Sequence, residues 1–234
     1  MRPIFCVSGN DWLEKHAAEE FAKYVKAMTG AKPAIVPSPA SLPKKGVVVS
    51  VGKTSVSDSL FKKRLAKVAG EAGEEGFLIK SADGSGGKCL LLLGGSPRGT
   101  LYAVYHYLEK FCGVGFFWDG ERIPKLEEIP VDGIDVFERP YFPIREYMMD
   151  CEYTSYWWGW KEWKREVDWA AKHRFNVLSS NFDFTATWRR VWKKFGVEVP
   201  PTSLTAPPFH PWAGWHKWDI KPPYPESFQD FIAA

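Results

Sequence analysis

The sequence predicts an α/β chain in two parts: an N-terminal α/β sandwich followed by the first βα units of an incomplete (β/α)8 barrel. Three observations predict it. Strand-like and helix-like runs alternate up to Trp118 and include an all-apolar stretch, Cys89-Leu90-Leu91-Leu92-Leu93, of the kind that is buried on both faces of a sheet. Ten of the twelve tryptophans lie at or after Trp157, a composition shift that marks a change of domain. From Pro143 a strand-helix-strand-helix pattern restarts with short connections, which is the repeating unit of a parallel barrel.

The first part reads in order. Ile4 to Val7 is a short strand, and Asn10 or Asp11 is placed to N-cap a helix whose apolar positions Leu13, Ala17, Phe21, Tyr24, Val25 and Met28 recur at helical spacing. Gly30 stands where a C-cap is expected. The β-branched runs Ala34-Ile35-Val36 and Val47-Val48-Val49 read as strands, and a charged amphipathic helix is expected from Leu60 to Val68. A hairpin follows, with strands at Gly76 to Lys80 and Cys89 to Leu93 around a turn at Asp83 to Gly87. A helix from Thr100 to Phe111 carries Leu101, Val104, Tyr105, Leu108 and Phe111 on one stripe, and Gly113 to Trp118 returns as a strand. This gives an accessory α/β domain over residues 1–120. Residues 121–142, rich in proline and alternating charge, are read as a surface linker.

Residues 143–234 form the second part. Ile144 to Met149 reads as a strand, and Trp160 to His173 as a helix with Trp160, Trp163, Val167 and Ala170 on one face. Asn176 to Ser180 is a second strand, and Thr185 to Phe195 a second helix. A closed eightfold barrel takes roughly 250 residues. The expectation is therefore that more chain or a separate partner completes the sheet, since two parallel strands leave their outer edges unpaired.

Composition narrows the function classes. A net charge of +3 over 234 residues, with both signs interleaved along the helical stretches, gives no basic stripe and no reason to expect nucleic acid. No apolar run is long enough to span a bilayer, so no membrane partner is expected. The run Pro3-Ile4-Phe5-Cys6-Val7 lacks the pattern of a signal peptide, and a cytoplasmic location is the default expectation. Cys6, Cys89 and Cys112 sit in apolar runs without metal-ligand spacing and are read as reduced, buried thiols; Cys151 is set apart from them.

In a parallel barrel the reacting groups gather at the carboxyl ends of the strands. Those positions are Asp150, Cys151 and Glu152 after the first strand and Asn181 and Asp183 after the second. Two aromatic-dense segments add to them, Tyr153 to Trp160 and Phe209 to Trp218, the latter holding His210, Trp212 and Trp215. Aromatic rings stack on the C–H face of sugars while neighbouring polar groups read the hydroxyls. The substrate-binding candidates are thus Asp150, Cys151, Asn181, His210 and Trp212, with a carbohydrate as partner. Trp163, Trp188 and Trp192 lie on helical stripes and are read as core.

The run Arg145-Glu146-Tyr147, then Cys151, then Tyr153 to Ala171 resembles the opening of the catalytic domain in the α-N-acetylglucosaminidase family of glycoside hydrolases, and the resemblance continues through Trp188 to Val191 and Ala206 to Trp212. The first domain, through Ser96 to Tyr105 and Gly113 to Phe117, is similar to the noncatalytic N-terminal domains of α-glucuronidases, hexosaminidases and this family. The resemblance implies an exo-acting enzyme on terminal α-linked N-acetylglucosamine, with no metal or organic cofactor. It implies that Cys151 and Trp212 line the sugar pocket, and that two catalytic glutamates stand on later barrel strands, so that no catalytic residue is assigned here. Met149 stands where the family has asparagine, and Ser180-Asn181-Phe182-Asp183 where it has Ala-Trp-Ser-Gly. The alternatives are a related enzyme such as an α-glucuronidase-like glycosidase, or a noncatalytic carbohydrate-binding protein.

Two other signals lead elsewhere and are set aside. Gly52-Lys53-Thr54 follows a valine-rich strand as a phosphate loop would, but Gly46 is one residue too far upstream and the intervening residues are β-branched. His106 has no second ligand at metal spacing.

Overall fold

Local side-chain chemistry sets the ends of the first elements. In the computed structural model the exit from strand β1 (Ile4–Ser8) is turned into helix α1 (Trp12–Thr29) by Asp11, whose carboxylate accepts from the Leu13 amide at 2.8 Å. Gly30, at φ 77°, ends that helix in the left-handed conformation and donates its amide to the Lys26 carbonyl. The structure describes residues 3–37, 45–84, 87–148, 159–179, 190–191 and 193–196. They divide into two compact units, one reaching to Pro143 and joined by Lys172–Arg174, the other made of the remaining residues from Ile144 on.

The first unit continues with β2 (Ala34–Pro37), β3 (Gly46–Val51), α2 (Ser55–Leu60), α3 (Lys62–Glu71), β4 (Phe77–Gly84), β5 (Gly87–Gly94) and α4 (Pro97–Lys110). Two short strands, β6 (Gly115–Phe117) and β7 (Gly120–Arg122), precede β8 (Asp135–Glu138). A six-stranded sheet runs in the order β2-β1-β3-β5-β4-β8, with β2, β1, β3 and β5 parallel and β4 and β8 antiparallel to their neighbours. The leucine run of β5 is central and divides its side chains. Leu90 and Leu92 join Phe21, Tyr24, Val104 and Leu108 under α1 and α4, whereas Leu91 and Leu93 join Val56, Phe61 and Val68 under α2 and α3. Both faces are covered, as an apolar parallel strand requires.

Three expectations are corrected. The single helix expected from Leu60 to Val68 is two helices broken at Phe61 (φ −121°, ψ 16°), whose ring is buried. The first of them starts earlier because Thr54 and Ser57 form a capping box, each side chain accepting the other residue's amide at 3.2 and 2.9 Å. The strand expected from Gly113 to Trp118 is only the first arm of the β6–β7 hairpin, which lies outside the main sheet. Phe116 instead sets its ring edge-on against Tyr24 and Tyr105 at 5.6 and 5.7 Å, and Tyr24 donates to the Glu121 carboxylate at 2.7 Å. The stretch expected as a surface linker over residues 121–142 contributes Ile129, Val131 and Ile134 to the core and closes the sheet with β8, pairing Phe137 with Leu78 and Val136 with Ile79. Its prolines flank the strand without interrupting it, and β4 gains a partner for its otherwise open edge.

The thiols of Cys6, Cys89 and Cys112 are free and buried, and burial pushes Cys6 up to about 12 and Cys112 to about 11, so they stay protonated packing groups. His106 is buried against the ring of Phe77 at 5.1 Å, and burial holds its imidazole below the usual range. Among the described residues no cluster fit to hold a metal ion occurs, and no helix is long and apolar enough to cross a membrane.

The chain leaving β1 turns to the α1 face and the chain leaving β3 to the α2 face, which makes this adjacent pair a switch point of the sheet. The crevice there is filled from within by Glu14. Its carboxylate lies against Gly9 and Gly52, where any Cβ would collide with it, and it accepts the Lys53 amide at 3.0 Å. Burial raises the Glu14 carboxyl above its ordinary value of 4.5, in spite of the backbone hydrogen bonds that oppose the rise. The sign follows: the favourable contribution of protonated Glu14 is present in full below about pH 4.5 and is lost as pH rises through the raised folded-state value. Urea unfolding of the wild type and Glu14→Gln is expected to show the wild type gaining on the variant as pH falls from neutrality towards pH 4. A gap independent of pH would contradict this.

Candidate functional site

The second unit is built on a pair of parallel strands. Its described elements are β9 (Glu146–Met148), α5 (Trp160–Lys172) and β10 (Val177–Ser179). Val177 is level with Glu146, Leu178 with Tyr147 and Ser179 with Met148. The register starts from a clasp in which Asn176 accepts the Arg145 amide at 2.8 Å through Oδ1 and returns its own amide to the Arg145 carbonyl at 3.0 Å. Parallel strands need a long crossover, and α5 supplies it.

Each end of α5 is fixed locally. Glu162 reaches back to accept the Gly159 amide at 2.9 Å, as the carboxylate half of a capping box does. At the other end Arg174 takes φ 64°, where glycine is usual, and the Phe175 amide bonds to the Ala170 carbonyl at 3.0 Å. The buried face of α5 carries Trp163, Glu166 and Ala170 at helical spacing. It packs on Tyr147, whose ring contacts Trp169 at 5.1 Å and Phe175 at 5.3 Å and whose hydroxyl donates to Glu166 Oε2 at 2.8 Å. Glu166 is 1% exposed, and a carboxylate at that depth is tolerated only when it is hydrogen-bonded.

This packing fixes the faces of the strand pair. Tyr147 and its partner Leu178 share the α5 side, so the alternation of a strand puts Glu146, Met148, Val177 and Ser179 on the opposite side. In a barrel that opposite side is the interior. Among the described residues β9 and β10 pair only with each other, leaving each with an open edge.

Of the residues proposed from sequence for substrate binding, Asp150, Cys151, Asn181, His210 and Trp212 all lie outside the described residues. What the structure supplies is their framework. Asp150 and Cys151 follow β9 in sequence and Asn181 follows β10, and those two strands end level with each other on adjacent positions of one sheet. The Tyr147–Glu166 link was not foreseen, although Glu166 occupies the same helical stripe as Trp163 and Ala170, and an acidic residue on an apolar stripe is a readable sign of a buried partner.

Residues 146–229 match the family described as the alpha-N-acetylglucosaminidase tim-barrel domain, and residues 5–107 match the glycosyl hydrolase family 67 N-terminus. Human alpha-N-acetylglucosaminidase is 27% identical over 155 residues, which cover 63% of this chain and 21% of the human protein. Similar solved structures include a family 89 glycoside hydrolase from Clostridium perfringens in complex with its substrate GlcNAc-alpha-1,4-galactose. It has a TM-score of 0.54 at 15% identity, over 94% of this chain and 22% of that one. The N-acetyl-beta-hexosaminidase of Streptomyces plicatus reaches 0.51 at 16% identity, over 77% of this chain and 30% of that one. These structural likenesses establish the fold, and the chain spans about a fifth to a third of the length of each relative.

The framework of β9, α5 and β10 makes its own prediction. Tyr147→Phe removes a hydroxyl bonded to Glu166 and is expected to destabilise the second unit by about 2 kcal/mol, the order of cost for a buried charged group that loses a partner. Faster amide exchange at Val177 to Ser179 is the measurement, with Glu166→Gln in the same background recovering part of the loss. Unchanged exchange in Tyr147→Phe would show the link to be dispensable. The sequence match, the parallel β9–α5–β10 unit and the α/β sheet before it agree: residues 146–229 are similar to the alpha-N-acetylglucosaminidase tim-barrel domain of glycoside hydrolases and follow residues 5–107, which are similar to the glycosyl hydrolase family 67 N-terminus.

Proposed function

We propose that this chain is the N-terminal portion of an exo-acting glycoside hydrolase that removes terminal α-linked N-acetylglucosamine. The observation that carries the reading is the match of residues 146–229 to the alpha-N-acetylglucosaminidase barrel, together with the parallel β9–β10 pair on which that match falls. In this reading the segments after β9 and β10 form one side of the sugar pocket. Cys151 and Trp212 line the terminal ring, Trp212 through its aromatic face, while Asp150, Asn181 and His210 bond to hydroxyls.

Cleavage needs two carboxyl groups, one protonated to assist the departing oxygen and one ionised to attack the anomeric carbon, about 5 to 5.5 Å apart in a retaining enzyme. The reading assigns both to later strands of the same barrel. The β9–α5–β10 unit then positions substrate, and neither it nor the N-terminal unit supplies a proton. Human alpha-N-acetylglucosaminidase and the Clostridium enzyme bound to GlcNAc-alpha-1,4-galactose support N-acetylglucosamine as the sugar released.

A second reading rests on one observation: Ser180-Asn181-Phe182-Asp183 replaces the Ala-Trp-Ser-Gly expected of the family after the second strand. It is a related glycosidase with a shifted sugar preference, α-glucuronidase-like, or a binding protein that does not cleave.

The purified chain is expected to give no turnover of an aryl α-N-acetylglucosaminide. The same chain joined to a polypeptide that completes the barrel is expected to release the aryl group, with Trp212→Ala lowering kcat/KM at least about tenfold, as loss of a stacking partner and its apolar contact does. Turnover by the chain alone contradicts the assignment of both carboxyl groups elsewhere. Release from an aryl α-glucuronide in preference selects the second reading.

A further inference from the structure

The N-terminal unit contains a cavity of about 570 Å³ at the carboxyl ends of β3 and β5, beside the switch point that Glu14 fills. That volume is within the range of small-molecule sites, and the place is where open parallel sheets take their ligands. Nothing in the barrel reading uses it.

Its lining decides what it can take. Backbone amides here have their partners already: Gly52 N bonds to Leu92 O, Lys53 N to Glu14, Thr54 N to Ser57 Oγ and Ser57 N to Thr54 Oγ1. At the start of α4 the amides of Gly99 and Thr100 are held by the side chain and the carbonyl of Ser96. A phosphate at Gly52-Lys53-Thr54 would find these three amides occupied and would meet the Glu14 carboxylate, which disposes of the phosphate-loop resemblance.

The side chains point to a different chemistry. Two acidic residues, Glu14 and Asp58, and two basic ones, Lys53 and Lys62, line the cavity, so the lining carries equal numbers of both signs. Among the described residues the side chains of Lys53, Asp58 and Lys62 form no ion pair or hydrogen bond that would occupy them. Leu65, Val68 and Leu93 supply an apolar wall. Acceptors, donors and an aliphatic surface around one neutral space fit a ring that carries hydroxyls on its edge and C–H groups on its face.

We propose that this cleft binds a neutral sugar of one or two rings, as a second carbohydrate site separate from the barrel. Carboxylates accept from its hydroxyls, the lysines donate to them, and the aliphatic wall covers one face of the ring.

The test uses the full 234-residue chain fused to a soluble carrier without sugar affinity. Saturation-transfer NMR and titration with N-acetylglucosamine, glucose and cellobiose are expected to give a Kd in the millimolar range, about −4 kcal/mol by the standard conversion, for at least one of them. Asp58→Ala with Lys62→Ala is expected to weaken that binding at least about tenfold, and Ala66→Trp, at an exposed lining position, to abolish it. Circular dichroism spectra should stay unchanged. Trp212→Ala, which tests the barrel pocket, is expected to leave it intact, so the two sites fail separately. The proposal is overturned if none of the three sugars binds, if inorganic phosphate binds in preference, or if binding survives the cleft variants and disappears with Trp212→Ala.

Discussion

Parallel strands cannot be joined by a tight turn, and the second unit depends on that constraint. The chain leaving β9 must return along a crossover before it can lie beside itself as β10, so α5 is required, and the segments that leave both strands issue at the same end of the sheet. Tyr147 and Glu166 fasten the crossover to the strand at 2.8 Å, and the aromatic contacts with Trp169 and Phe175 close the space around them. The strand faces are assigned by the same contact. With Tyr147 turned to the helix, the alternate residues face what becomes the barrel interior.

The first unit answers a similar constraint differently. Its four parallel strands use helices on both faces, and two antiparallel strands extend the sheet on the β5 side. At the switch point, where such sheets commonly receive an anion, the protein has placed its own carboxylate. Glu14 takes the backbone donor that a phosphate would use, and this diverts the neighbouring cavity towards neutral ligands. The balanced lining of its cavity gives the first unit a chemistry of its own.

Much of this architecture was legible in the sequence because short-range rules acted alone. Asp11 and Gly30 cap α1 where the periodicity begins and stops, and the leucines of β5 announce a strand covered on both sides. The errors came where tertiary contacts outweighed local pattern. Three prolines made residues 121–142 read as linker, whereas the open edge of β4 recruited Asp135–Glu138 as a strand. A run of small and aromatic residues read as a full strand at Gly113 to Trp118, but Phe116 found its burial between two tyrosines of the helices. For the candidate site the sequence told more than the fold did, since the resemblance named Cys151 and Trp212, which lie outside the described residues, while the structure describes β9 and β10, which precede them in sequence.

The most direct measurement is an experimental structure of the chain within a completed barrel, with N-acetylglucosamine bound. The account predicts the indole of Trp212 and the thiol of Cys151 in van der Waals contact with the sugar ring, at about 4 Å, beyond the ends of β9 and β10. A sugar held elsewhere, with Asp150, Cys151 and Trp212 directed away from one another, would contradict it.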